Sequence, residues 1–220
     1  MPKQNRVTPF STLIATPARG SLMGNRGCLH NDRQQIRRSF QGSRWIICLL
    51  EFKGRRRPIM MPGQYTELFF LDEATALAAG HRPCAECQRE RFNLFRESWA
   101  RANPKLSGGL TRPAATVLDA VLQGERSGAG GPVWSDSLDD LPDGVFVTDD
   151  EQSAYLVFRQ QALRWSSAGY ERPEMGRPHY PARVLTPGSV LRALAEGYPA
   201  GVHASAYQIM GLEQPSFLKR

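Results

Sequence analysis

Apolar residues fall into short bursts punctuated by glycine and proline, and the period of each burst assigns it a shape. Trp45 to Lys53 is rich in apolar and β-forming residues, Gly54-Arg55 can turn the chain, and Arg56 to Met61 can return as a second strand. Pro58 confines that second strand to a sheet edge. Thr66 to Leu71 reads as a third strand leading into Asp72, an N-cap for a short Ala-rich helix from Glu73 to Ala79 that stops at Gly80. Phe92, Phe95 and Trp99, three and four apart with charges between them, predict an amphipathic helix over about Ala85 to Ala102. Pro104 and Ser107-Gly108-Gly109 end it. A further helix is expected over Pro113 to Gln123, with Val117, Leu118, Val121 and Leu122 on its apolar side.

Beyond a Gly-rich stretch from Gly124 to Pro132, the pattern changes to short strands at Val145 to Thr148, Ala154 to Arg159 and Ala162 to Trp165, with Gln160-Gln161 as a two-residue turn. Arg183 to Leu185 reads as another strand, and Thr186 as the cap of a helix with Pro187 in its first turn and Gly197 at its end. Phe70-Leu71-Asp72 followed by Ala76-Leu77-Ala78-Ala79-Gly80-His81 is echoed by Val184-Leu185-Thr186 followed by Ala193-Leu194-Ala195-Glu196-Gly197-Tyr198. So common a strand-helix unit is weak evidence of duplication. Residues 1–20, with Pro2, Pro9 and Pro17 and no periodicity, read as an extended or mobile basic arm. The expected organisation is therefore an arm over 1–20, an α+β domain over 21–124 with a small antiparallel sheet and short helices, and a second α+β part over 133–220.

Composition narrows the class. The 220 residues are 41% hydrophobic, enough to bury a core, and the longest apolar stretch, Trp45 to Leu50, is far short of a bilayer span. No membrane association is expected, and with no secretory apolar segment the working location is cytoplasmic. The net charge of +7 is uneven. Residues 1–60 hold twelve Lys or Arg against Asp32 and Glu51, whereas residues 135–151 hold seven acids and no base. A basic N-terminal half suits a polyanion such as DNA or RNA, with Arg55, Arg56 and Arg57 clustered at the expected hairpin tip. A solvated basic face is the plainer reading.

Four cysteines in a reducing compartment read as metal ligands or redox groups before disulfides. Cys84 and Cys87, at the mouth of the predicted amphipathic helix, can reach one tetrahedral Zn²⁺, and the helix N-terminus stabilises their thiolates. A redox pair would use the same helix position, but no βαβ pattern precedes this one.

The segment Leu68-Phe69-Phe70-Leu71-Asp72-Glu73-Ala74-Thr75-Ala76-Leu77-Ala78-Ala79-Gly80-His81-Arg82-Pro83-Cys84-Ala85-Glu86-Cys87 resembles the end of the Ada-type metal-binding domain, a small α+β zinc module found in DNA repair and other proteins. The resemblance covers about twenty residues and implies that Cys84 and Cys87 bind Zn²⁺. It also implies an upstream ligand pair, for which the family's aromatic-Cys-x-Pro-x-Cys segment is missing here. Gly24-Asn25-Arg26-Gly27-Cys28-Leu29-His30 is the nearest counterpart, making His30 the expected third ligand. Gln34, four residues on, is a poor ligand, which leaves Cys48, Cys28 or water for the fourth position. His81 stands where the family has an aromatic residue and is expected to pack. Imidazole in place of an upstream thiolate disfavours methyl-transfer repair chemistry.

Three functions fit this reading. The first is a zinc-stabilised protein that binds nucleic acid through its basic half. The second is an enzyme with a zinc-held scaffold and a separate active site, and the third is an interaction module in which the acidic segment meets the basic one. The C-terminal half offers no triad, phosphate loop or paired-carboxylate motif.

Overall fold

The structure is a computed structural model that describes residues 1–54, 58–173 and 178–215. The expected α+β class holds, with two six-stranded sheets and five helices among the described residues. The first sheet comprises β1 (Gln4–Val7), β2 (Leu13–Ala15), β3 (Leu22–Asn25), β4 (Ile46–Cys48), β5 (Leu68–Phe70) and β6 (Arg82–Pro83), in the order β2-β1-β5-β3-β4-β6. It is mixed rather than antiparallel, because β1 lies parallel to β5 and β6 parallel to β4.

The N-terminal segment is not a free arm. Its prolines stand outside the strands, so β1 and β2 pair as a hairpin and Asn5 donates its side-chain amide to the Glu67 carbonyl (3.1 Å). The strand expected from Trp45 to Lys53 shrinks to three residues in β4, and Lys53 and Gly54 turn the chain with positive φ (52° and 65°). Pro58 to Met61 form no strand. Met60 has φ of 56° there and gives its backbone N–H to the Glu67 carboxylate (2.7 Å).

The helices follow their sequence signals closely. In α1 (Glu73–Ala78), Asp72 accepts the Thr75 N–H at 2.8 Å, and Gly80 takes the left-handed conformation that ends the helix (φ 81°). The apolar stripe of α2 (Arg89–Ala102) puts Phe92, Phe95 and Trp99 into the core. Helix α3 (Ala115–Arg126) reaches into the Gly-rich stretch and buries Leu118 and Leu122.

The second sheet comprises β7 (Val133–Ser135), β8 (Phe146–Thr148), β9 (Tyr155–Phe158), β10 (Gln161–Ser166), β11 (Gly169–Glu171) and β12 (Ala182–Val184), ordered β11-β10-β9-β8-β12-β7. The β9–β10 turn is Arg159-Gln160, one residue before the expected pair, because Gln161 pairs with Phe158 and both turn residues have positive φ (51° and 57°). Helices α4 (Gly188–Ala195) and α5 (Ala204–Met210) complete the chain. Thr186 does not cap α4. Its hydroxyl accepts the Phe146 N–H (3.0 Å), joining β8 to the end of β12.

The Gly-rich stretch does not separate two cores. One buried apolar cluster takes in Val7, Ile47, Phe70 and Trp99 together with Val147, Val184 and Tyr198, and α2 packs against α4 across it. Burial on this scale supplies the main stabilisation of both sheets.

Candidate metal centre

Parallel pairing of β4 with β6 sets Ile46 beside Arg82 and Ile47 beside Pro83, so the next step along both strands brings Cys48 to Cys84. The Cys84 N–H donates to the Ile47 carbonyl (2.9 Å), extending that register, and the Gln88 side-chain amide holds the same carbonyl (2.9 Å). The chain then turns through Ala85-Glu86 into α2 and returns Cys87 to the same point. The sulfurs of Cys48, Cys84 and Cys87 lie within 4.8 Å of one another, and this cluster could hold a metal ion.

The thiols share their protons unequally. Cys84 is held far below the ordinary thiol range by hydrogen bonds from the Cys48 and Cys87 thiols, assisted by the Cys87 and Glu86 N–H groups, the latter 3.4 Å from its sulfur. Cys48 is pushed far up because it donates to Cys84 and to Cys87, and because it is buried. For Cys87 the bond from Cys48 acts downward, but its own bond to Cys84 and its burial outweigh it, and its thiol sits above the ordinary range. The three sulfurs thus interact directly, close to the N-terminus of α2.

The Arg82-Pro83 approach to the cysteines is anchored from below. Arg82 makes a bidentate pair with Asp119 of α3, two contacts of 2.8 Å, with the side chains only 3% and 8% exposed. This support escaped the sequence reading. An Arg before Pro-Cys was its only trace, and its partner stands 37 residues away.

His30 is not with the cysteines. Met23 lies opposite Cys48 and Asn25 opposite Ile46, so the chain leaving β3 runs away from the cysteine end of β4. The His30 ring is instead engaged by Thr66 Oγ1 (2.7 Å) and the Met61 carbonyl (3.1 Å). Cys28 follows the same path, and its sulfur contacts the His30 carbonyl at 3.7 Å. Of the two cysteine alternatives for completing the site, the structure gathers Cys48. Arg55, Arg56 and Arg57, the expected phosphate cluster, lie outside the described residues. Arg33, Arg37, Arg38 and Arg44 are exposed on the connection between β3 and β4.

His81 packs as expected, with ring centroids 5.0 Å from Trp45 and 4.8 Å from Phe70. The Arg26 and Arg126 guanidinium groups both stack on Trp45, 4.5 and 4.1 Å from its ring centroid.

Beside Cys87 opens a cleft of about 1360 Å³, whose walls include Leu49, Phe52, Arg89 and, from the second half of the chain, His203. Asp72 and Glu73 also line it, but their oxygens are engaged within the protein. Asp72 accepts from Thr75, the Tyr170 hydroxyl (2.6 Å) and the His203 N–H (2.8 Å); Glu73 accepts from the Tyr198 hydroxyl, Arg91 and the Gly201 N–H (2.7 Å). No helix among the described residues is long and apolar enough to cross a membrane. The chain matches no protein-family model, no curated protein and no solved structure.

Proposed function

We propose that the chain is a zinc-binding protein whose metal joins the end of β4 to the turn between β6 and α2. The observation that carries this reading is the convergence of three sulfurs from two separate segments on one point. Thiolates in this number select a thiophilic ion, and Zn²⁺ accepts the tetrahedral angles that a Cys-x-x-Cys turn provides. Cys48, Cys84 and Cys87 fit the ion chemically: all three are soft sulfur donors, and the N–H donors around Cys84 stabilise charge on its sulfur. Bound zinc supplies a fixed cross-link and a Lewis-acidic centre. Zinc takes the sulfurs as thiolates and releases thiol protons on binding, so uptake weakens as pH falls. The resemblance to the Ada-type segment supports the same assignment for Cys84 and Cys87.

Elemental analysis of zinc-replete protein is expected to give about one Zn²⁺ per chain. Cys48→Ser should lose the metal, as Cys84→Ser does, while Cys28→Ser and His30→Ala should retain it. Stable, metal-free wild-type protein would falsify the proposal, and retention of zinc by Cys48→Ser would remove Cys48 from it.

A second reading, binding of DNA or RNA, is favoured by the exposed Arg33, Arg37, Arg38 and Arg44 on the β3–β4 connection. Such binding would be insensitive to sequence and would weaken steeply with salt. Gel shifts at low and raised salt decide it, and no shift at low salt leaves a solvated basic face.

A further inference from the structure

We propose that the cysteine centre, once it holds its metal, takes a low-molecular-weight zwitterionic thiol from the adjoining cleft as its fourth ligand. The inference rests on the zinc reading above. Among the described residues three sulfur donors gather, and no fourth Cys, His, Asp or Glu joins them, whereas tetrahedral zinc takes four ligands. Cys48 and Cys84 are buried and Cys87 is half-buried on the cleft wall, so the approach to the centre runs through the cleft. Closing a coordination shell with water needs room for one water. This cleft, at about 1360 Å³, exceeds the usual size of small-molecule sites.

The lining describes the guest. Leu22, Leu49 and Phe52 offer apolar surface for a short carbon skeleton, while Lys53 and Arg89 suit a carboxylate, and Glu86 and Glu90 an ammonium group. Asp72 and Glu73, also in the lining, spend their oxygens on Tyr170, Tyr198, Arg91 and backbone N–H groups, so they repel an anionic head less than bare carboxylates would. Sulfur is favoured over oxygen as the incoming donor because three thiolates make the ion soft. The added negative charge meets the N-terminus of the 14-residue α2 and the Glu86 N–H that already points at Cys84 Sγ. On binding, the sulfur–metal bond forms as the thiol proton passes to bulk water, and no electron is transferred.

The test uses the full chain, zinc-loaded and apo, with radiolabelled cysteine as the probe and S-methylcysteine as the control that lacks an ionisable sulfur. Equilibrium dialysis should retain one cysteine per zinc-loaded chain, with none on the apo chain and no S-methylcysteine on either. In cobalt-substituted protein, cysteine should shift the visible d–d bands while the metal remains bound. Arg89→Glu should weaken cysteine retention about fivefold with metal content unchanged. A loaded chain that retains no cysteine, that surrenders its metal to cysteine, or that retains S-methylcysteine equally would overturn the inference and leave the zinc reading standing. A chain that takes up no zinc would overturn both.

Discussion

The two sheets repeat one construction and then part company. In the first, β5 pairs with β3, which pairs with β4; in the second, β12 pairs with β8, which pairs with β9, every pairing antiparallel. Each of β5 and β12 leads into a helix that stops at a glycine of positive φ, 81° at Gly80 and 93° at Gly197. The closing hydrogen bonds coincide. Gly80 N–H meets the Leu77 carbonyl and His81 N–H that of Ala76; Gly197 N–H meets Leu194 and Tyr198 N–H meets Ala193, at 2.9 to 3.0 Å throughout. After the aromatic position the chains differ. Arg82-Pro83 returns beside β4 and delivers Cys84, whereas Pro199-Ala200-Gly201 proceeds to His203 on the cleft wall. The sheet-helix unit is thus a neutral frame, and the chemistry lies in the residues beyond the glycine.

The comparison breaks hardest at the supports beneath each half. Arg82–Asp119 is buried, so Asp119→Ala leaves an unpaired buried guanidinium and should cost about 3–5 kcal/mol in urea unfolding. Arg101–Glu196, which ties α2 to the end of α4 beside the second glycine stop, is 53% and 45% exposed, and Glu196→Ala should cost less than about 1 kcal/mol. Similar costs for the two would mean that the approach to the cysteines is no better anchored than a surface turn.

The glycine stops sharpen it further. A Cβ at Gly197 meets nothing within 4 Å, so Gly197→Ala should cost only the left-handed strain, about 1 kcal/mol. At Gly80 the same atom falls 2.9 Å from Arg126 Cδ, and Arg126 both donates to the Gly80 carbonyl and stacks on Trp45. Gly80→Ala should therefore cost about 2 kcal/mol, the extra coming from the displaced stack. Equal thermal shifts for the pair would refute that reading.

The smallest effect separates the two aromatic positions. Tyr198 donates its hydroxyl to Glu73, but His81 is fully buried, and among the described residues its ring nitrogens meet only the Ala76 and Ala79 backbone, without reaching ordinary hydrogen-bond geometry. Burial, reinforced by the Arg26 and Arg126 charges, holds His81 well below 6.5. The folded chain keeps it neutral while the unfolded chain takes a proton, so stability is lost as pH falls below about 6.5, by up to about 1.4 kcal/mol per pH unit. His81→Phe should stabilise by about 1 kcal/mol at pH 7 and flatten that acid limb. Parallel pH profiles for variant and wild type would show that the lost stability arises elsewhere.

Local chemistry was legible in the sequence and long-range register was not. Asp72, Gly80 and the Phe92-Phe95-Trp99 stripe each announce a helix boundary or face through neighbouring residues alone, and the structure keeps all three. Cys84 and Cys87 declare themselves by spacing. That Cys48 rather than His30 joins them depends on the direction of β3 past β4 and on a parallel β4–β6 pairing, neither of which any short segment encodes. Strands β1 and β2 leave no signal in the pattern because runs of four and three residues between prolines show no period, and β1's partner β5 lies more than sixty residues on.

The place of β5 also orders events during synthesis. It lies between β1 and β3, so the β1–β2 hairpin and the β3–β4 pair emerge from the ribosome as separate pieces with facing edges bare. Only when residues 68–70 arrive can a three-residue strand join them, by one parallel and one antiparallel seam. Until then the strands ahead of β5 carry unpaired edges, the condition in which a growing polypeptide is most open to mispairing and to chaperone capture.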